Sequence, residues 1–183
     1  MRFAVSGSSG TGKSTLAEEL SRILNVPRVG EGVREYLEAH NITHLRELTP
    51  QGTMEMQNEI FMTKYVKEKS LREFVADRCT ADNVAYALRW CARDVDPKEV
   101  HDYVNKLREH CREMYDLVFF LPWGSIPLED DGIRSSKPLY QYEMSCLIKG
   151  ILIDWEVPFY IVRSQSLDDR INECLDVIFT KES

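Results

Sequence analysis

The chain has 183 residues, 43% of them apolar and 29% charged, which suits one soluble globular domain with a sizeable core. Its net charge of −7 argues against a protein whose whole surface grips duplex nucleic acid, though a local basic groove is still allowed. No apolar run approaches the roughly 18 residues of a membrane span, and the five cysteines include no C-x-x-C pair, so packed, reduced thiols in a cytoplasmic protein are expected.

Arg2-Phe3-Ala4-Val5-Ser6 is short, apolar and β-prone, so the chain opens on a strand with no room for a signal peptide. Gly7-Ser8-Ser9-Gly10-Thr11-Gly12-Lys13-Ser14 follows at once and fits G-x-x-x-x-G-K-[ST], the phosphate-binding P-loop. Leu16, Leu20, Ile23 and Leu24 then recur at helical spacing. That strand–loop–helix frame is what the chemistry needs. Glycines let the backbone wrap so that its N–H groups face phosphates, and the helix start adds partial positive charge. Residues Gly7 to Thr15 are the expected ATP-binding stretch, with Lys13 on the β- and γ-phosphates and Ser14 on Mg²⁺.

Residues 26–30 read as a second strand with Glu31 at its carboxyl end, where ligands sit in open α/β sheets. Residues 32–37 look helical, and 40–48 look like a connection. Thr49-Pro50 starts a long helix to about Leu71, with Thr49 as N-cap. Met54, Phe61 and Tyr65 share its apolar side, with Ile60 and Val66 beside them. Lys64, Lys67, Lys69 and Arg72 read as a solvated basic face, with a nucleic-acid patch as the sharper alternative.

Residues 73–78 form an apolar strand ending in Asp77, which has the form of a Walker B aspartate. Asp154 competes for that role, but the helical spacing of Tyr140, Met144, Leu147, Ile148, Ile151 and Leu152 makes it a helix end. A helix follows from Thr80 and another over 97–114, striped by Val100, Val104, Leu107, Cys111 and Met114. Residues 116–121 read as a fourth strand, continuously apolar from Leu117 to Leu121, as buried parallel strands are. A lid-like segment is expected at about 123–138, then a helix over 139–153, a strand over 158–162 and a last helix over 167–179. The reading is one α/β domain over 1–183, a P-loop NTPase fold with five parallel strands and helices on both faces.

A switch GTPase is disfavoured, because Asn105-Lys106-Leu107-Arg108 lacks the guanine-reading aspartate and lies in a predicted helix. A large ATPase machine needs more length. A kinase accounts for more residues. Phosphoryl transfer is mainly positioning and charge neutralisation, and Glu31, Asp77, Arg78 and Arg134 supply acids and cations at the strand tips and lid.

Glu31-Gly32-Val33-Arg34-Glu35-Tyr36, Asp77-Arg78-Cys79-Thr80-Ala81-Asp82-Asn83-Val84-Ala85-Tyr86 and Glu129-Asp130-Asp131-Gly132-Ile133-Arg134-Ser135 together resemble a family of small P-loop kinases. It includes the ribosylnicotinamide kinase domain, thymidylate-kinase-like and deoxynucleoside kinases, and phage kinases acting on 5-hydroxymethyluracil in DNA. The resemblance implies an ATP- and Mg²⁺-dependent transfer of the γ-phosphate to a hydroxyl. It implies that Glu31 faces the acceptor, that Asp77 serves Mg²⁺ or is the base, and that Arg78 and Arg134 neutralise phosphate charge. Those deoxynucleoside kinases carry glutamate where this chain has Asp77, so the base stays open between Glu31 and Asp77. Arg34 pairs with an acid on its helix or meets substrate, Asp82 reads as a cap or solvated residue, and Tyr36 and Tyr86 read as packing groups, with lining an acceptor pocket as the alternative. The acceptor is a free nucleoside or nucleotide, or a base in DNA, and the alternative is a nucleotide-sensing ATPase with no acceptor. The sequence leaves open ATP against GTP and monomer against homodimer, and a viral origin would put the protein in the host cytoplasm.

Overall fold

The computed structural model describes residues 1–124 and 138–181. Its strands are β1 (Arg2–Ser6), β2 (Arg28–Val29), β3 (Phe74–Asp77), β4 (Leu117–Phe120) and β5 (Phe159–Ile161). All pair in parallel, in the order β2-β3-β1-β4-β5. The helices are α1 (Lys13–Leu24), α2 (Val33–Ala39), α3 (Pro50–Ser70), α4 (Thr80–Trp90), α5 (Pro97–Met114), α6 (Pro138–Asp154) and α7 (Leu167–Lys181), with a 3₁₀ turn at Leu45–Glu47.

Strand side chains alternate between two cores. Phe3, Val5, Val75, Leu117 and Phe119 face α1 and α7, whereas Ala4, Phe74, Ala76, Val118 and Phe120 face the layer containing α3, α4, α5 and α6. Both faces are covered, so the strands need no polar alternation and read as unbroken apolar runs. Thr49 caps α3 as expected, its hydroxyl accepting from Gly52 N at 3.1 Å with Pro50 at the first position. Asp154 ends a helix, so the strand tip beside β1 belongs to Asp77.

One helix turns differently from its hydropathy. The inward stripe of α3 is Met54, Gln57, Phe61, Lys64 and Glu68, stepping by three and four, while Tyr65 and Val66 face out. Lys64 is therefore not part of a solvated basic face. Its Nζ lies 3.1 Å from Glu68 Oε1, and Glu68 also accepts from Tyr115 Oη at 3.0 Å and bonds His110 Nε2 at 2.5 Å. His110 of α5 and Tyr115 at its end complete Glu68, and Asn83 of α4 donates to Gln57 Oε1 at 3.1 Å, which lets these polar groups take core positions. Four of the five cysteines are buried, and all five are free thiols. Among the described residues no helix is long and apolar enough to cross a membrane.

Candidate active site

The first predicted motif lies at the carboxyl edge of β1. Gly7, Gly10 and Gly12 have φ of 142°, 74° and 82°, a region where glycine carries no Cβ penalty. Gly7 is doubly constrained, because a Cβ there would stand 2.4 Å from the Leu121 carbonyl oxygen. Lys13, the first residue of α1, folds back over the loop and donates to the Ser8 carbonyl at 2.5 Å. Ser14 and Thr15 are exposed in the first turn. From behind, Arg170 on α7 donates to the Thr11 carbonyl at 2.9 Å and to Ser164 O at 2.9 Å, bracing the loop.

The tips of β2 and β3 bring the other groups. Arg78 follows Asp77 with φ of 73°, a left-handed conformation unusual for a non-glycine residue. Its Nε donates to Glu31 Oε2 at 2.6 Å, its Nη2 reaches Ser9 Oγ at 3.4 Å, and its guanidinium lies 5.0 Å over the Tyr86 ring. The Tyr86 hydroxyl and Ser9 Oγ are 3.0 Å apart. Burial, with the Arg78 charge close by, pushes the Lys13 ammonium down to about 7, against the pull of Asp82, Asp77 and Glu31. The structure thus gathers Lys13, Glu31, Asp77 and Arg78 at one edge of the sheet. Arg134 and most of the lid-like segment fall outside the described residues.

Three buried polar atoms around this edge lack hydrogen-bond partners: Ser8 Oγ, Asp77 Oδ1 and Arg78 Nη1. Orphaned polar groups are costly unless a ligand completes them. A donor-lined glycine cradle with a folded-back lysine fits a polyphosphate. Among the described residues no group of three or more His, Cys, Asp or Glu forms a metal cage. The Ser14 hydroxyl and Asp77 suit Mg²⁺, which usually keeps substrate-phosphate and water ligands. Bound there, the ion would neutralise charge on the phosphates.

Beside Glu31 opens a cavity of about 330 Å³ between β2, α2 and α3, lined also by Glu35, Tyr36, Glu59, Ile60 and Lys64. Tyr36 stacks on His40 with ring centres 4.0 Å apart. A larger depression of about 430 Å³ runs between α3 and α5, but it holds none of the P-loop or strand-tip groups.

Two features were only half legible beforehand. Asp82 does cap α4, but it is fully buried rather than solvated, and it also binds Ser6 and Gly7. Tyr86 does more than pack, since it carries Arg78 on its face. The signal for both is their spacing of four residues from one another on α4, which puts them on one face of that helix.

A family model described as an AAA domain matches residues 2–170. No curated protein matches the sequence. Among solved structures, the chain is similar to deoxyadenosine kinase from M. mycoides with the products dCMP and dCDP bound, at 17% identity and a TM-score of 0.69 over 98% of this chain and 100% of that one. It is similar to the NadR protein in complex with NAD and AMP-PNP, at 21% identity and a TM-score of 0.71, over 96% of this chain and 48% of that one. It is similar to thymidylate kinase from Candida albicans, at 16% identity and a TM-score of 0.72, over 98% and 91%. The fold is that of the P-loop nucleoside and nucleotide kinases.

Proposed function

The chain belongs to this AAA-domain family, and from that premise we propose that it is an ATP- and Mg²⁺-dependent kinase that phosphorylates a hydroxyl of a nucleoside- or nucleotide-type acceptor. The observation that carries the reading is the meeting of Lys13, Glu31, Asp77 and Arg78 above the P-loop, with a cavity opening beside Glu31. Transfer needs cations on the moving phosphoryl group and a carboxylate near the attacking hydroxyl. Lys13 and Arg78 are the cations. Glu31 lines the cavity and takes the hydroxyl proton, while Asp77, buried at the β3 tip, serves the metal side. Arg78, bonded to Glu31, links the two.

A base within DNA is the less favoured acceptor. Lys64, Lys69, Arg89 and Arg112 each lie against a carboxylate, which leaves fewer cations for a strand. The net charge of −7 points the same way.

The test offers γ-labelled ATP and Mg²⁺ with free nucleosides, mononucleotides, and DNA with and without 5-hydroxymethyluracil, using Lys13→Ala as control. Label on a free nucleoside or nucleotide is the expected result. Label only on modified DNA moves the acceptor to the strand, and slow release of free phosphate alone overturns the kinase reading in favour of a nucleotide-sensing ATPase.

A further inference from the structure

Capping α4 engages only part of the Asp82 carboxylate. Its Oδ2 accepts from Cys79 N at 3.1 Å, the contact that caps the helix, and from the Cys79 thiol at 3.2 Å. The same oxygen accepts from Ser6 Oγ at 2.7 Å. Its Oδ1 accepts from the Gly7 amide at 3.1 Å and lies 3.6 Å from Arg78 Nη1. One buried carboxylate therefore touches the end of β1, the first P-loop glycine, the turn that leaves β3 and the guanidinium facing the loop.

Arg78 needs such a hold. Its backbone sits in the left-handed region, which a side chain does not adopt freely. Glu31 fixes Nε from the tip of β2, and Asp82 attracts Nη1 from α4. Two anchors on different elements stop the planar fork from rotating. Nη1 is buried and makes no hydrogen bond, so the fork keeps an open donor at the edge of the P-loop.

We infer that Asp82 is a positioning residue for triphosphate recognition: through Arg78 and the Gly7 amide it sets the β3 tip against the P-loop, so that the site tells a nucleoside triphosphate from a diphosphate. The inference rests on the reading of this edge as a nucleoside triphosphate site, and it does not require that an acceptor be phosphorylated.

The test is the ratio of Kd for ADP to Kd for AMP-PNP, measured with Mg²⁺ by titration calorimetry for the wild type, Arg78→Ala, Asp82→Asn and the double variant. Each single change should lower that ratio about fivefold or more, with ADP affinity nearly kept, and the double variant should fall no further than the worse single one within about twofold. A helix cap alone would lower the melting temperature and leave the ratio intact. If Asp82→Asn keeps the wild-type ratio, or if the two losses multiply in the double variant, the inference is overturned. Should Asp82→Asn fail to fold, Asp82→Glu carries the same test, because it keeps the charge and displaces the carboxylate. A wild-type ratio in that variant also overturns the inference. A wild type that binds AMP-PNP but yields no phosphorylated product sinks the transfer reading and leaves this inference intact; one that binds no AMP-PNP sinks both.

Discussion

Two buried clusters of charge in this molecule share an inventory and differ in how they are closed. Between α3 and α5, Lys64, Glu68, His110 and Tyr115 meet in the core, each 5% exposed or less. Both oxygens of Glu68 are taken by its neighbours. Burial works against its carboxylate, yet the Lys64 charge and the His110 hydrogen bond hold the carboxyl below the usual range. At the sheet edge the buried lysine has no such partner. Lys13 rests on a backbone carbonyl, and Ser8, Asp77 and Arg78 each leave an atom unbonded. Backbone strain also collects there, at Arg78. The first cluster pairs its charges within itself, and although Lys64 Nζ and His110 Nδ1 make no hydrogen bond, both oxygens of its carboxylate are used, whereas at the sheet edge the lysine has no carboxylate against it and an oxygen of Asp77 is left over.

That contrast breaks most visibly at the two lysines. Lys13→Met should cut phosphoryl transfer about 10³-fold, on the scale of losing a key charge-stabilising donor, while the melting temperature holds or rises because a poorly matched buried amine is gone. Calorimetric melts beside a transfer assay check it, and a large fall in melting temperature would put Lys13 in the structural class. Glu68→Gln should do the reverse. It strands Lys64 without its carboxylate and should destabilise the fold by about 3 kcal/mol in urea titration, with AMP-PNP affinity of the folded protein unchanged.

The site's frame was legible in the sequence because its chemistry is local. The P-loop, Glu31 and Asp77 each follow a short strand, and parallel pairing brings those ends to one edge. The stripe of α3 was not legible. Gln57, Lys64 and Glu68 hold core positions only because α4, α5 and Tyr115 supply partners from far along the chain, and hydropathy assigns such residues to solvent. Only half of the role of Asp82 was legible, for a related reason. Its cap is a local signal, but its bond to Gly7 crosses 75 positions.

A smaller effect follows from pH. Phosphate favours the ammonium form of Lys13, whose value in the free protein is about 7. Nucleotide binding at pH 8 should therefore take up a proton, and affinity should weaken by up to about tenfold per pH unit above 7. Calorimetry at pH 8 in two buffers of different ionisation heat reads the uptake directly, and identical heats would remove Lys13 from the phosphate. For the unliganded fold the sign is opposite. Between about 7 and the ordinary value of 10.5 the unfolded chain holds a proton that the folded one does not, so this group's contribution to stability rises with pH across that window. Glu68 acts at the other end. Its depressed carboxyl gives stability that is present above the ordinary glutamate range and lost as pH falls through its folded value.

The smallest expected effect sits one residue from one of the largest. Lys69 follows Glu68 on α3 and also reaches toward α5, with Nζ 3.0 Å from Glu113 Oε2. These two lysine–glutamate pairs have nearly the same length, 3.1 Å and 3.0 Å. Their surroundings differ: the Lys69 and Glu113 side chains are 39% and 65% exposed, against 3% and 0% for Lys64 and Glu68. Water and salt screen the outer pair, and its long side chains give up rotamer freedom to hold it, so Lys69→Met should change stability by about 0.5 kcal/mol or less. Denaturant midpoints of Glu68→Gln and Lys69→Met at low and high salt make the comparison. If length set the strength, the two would match. If burial sets it, Glu68→Gln stays severe at any ionic strength while the Lys69→Met effect fades as salt is added.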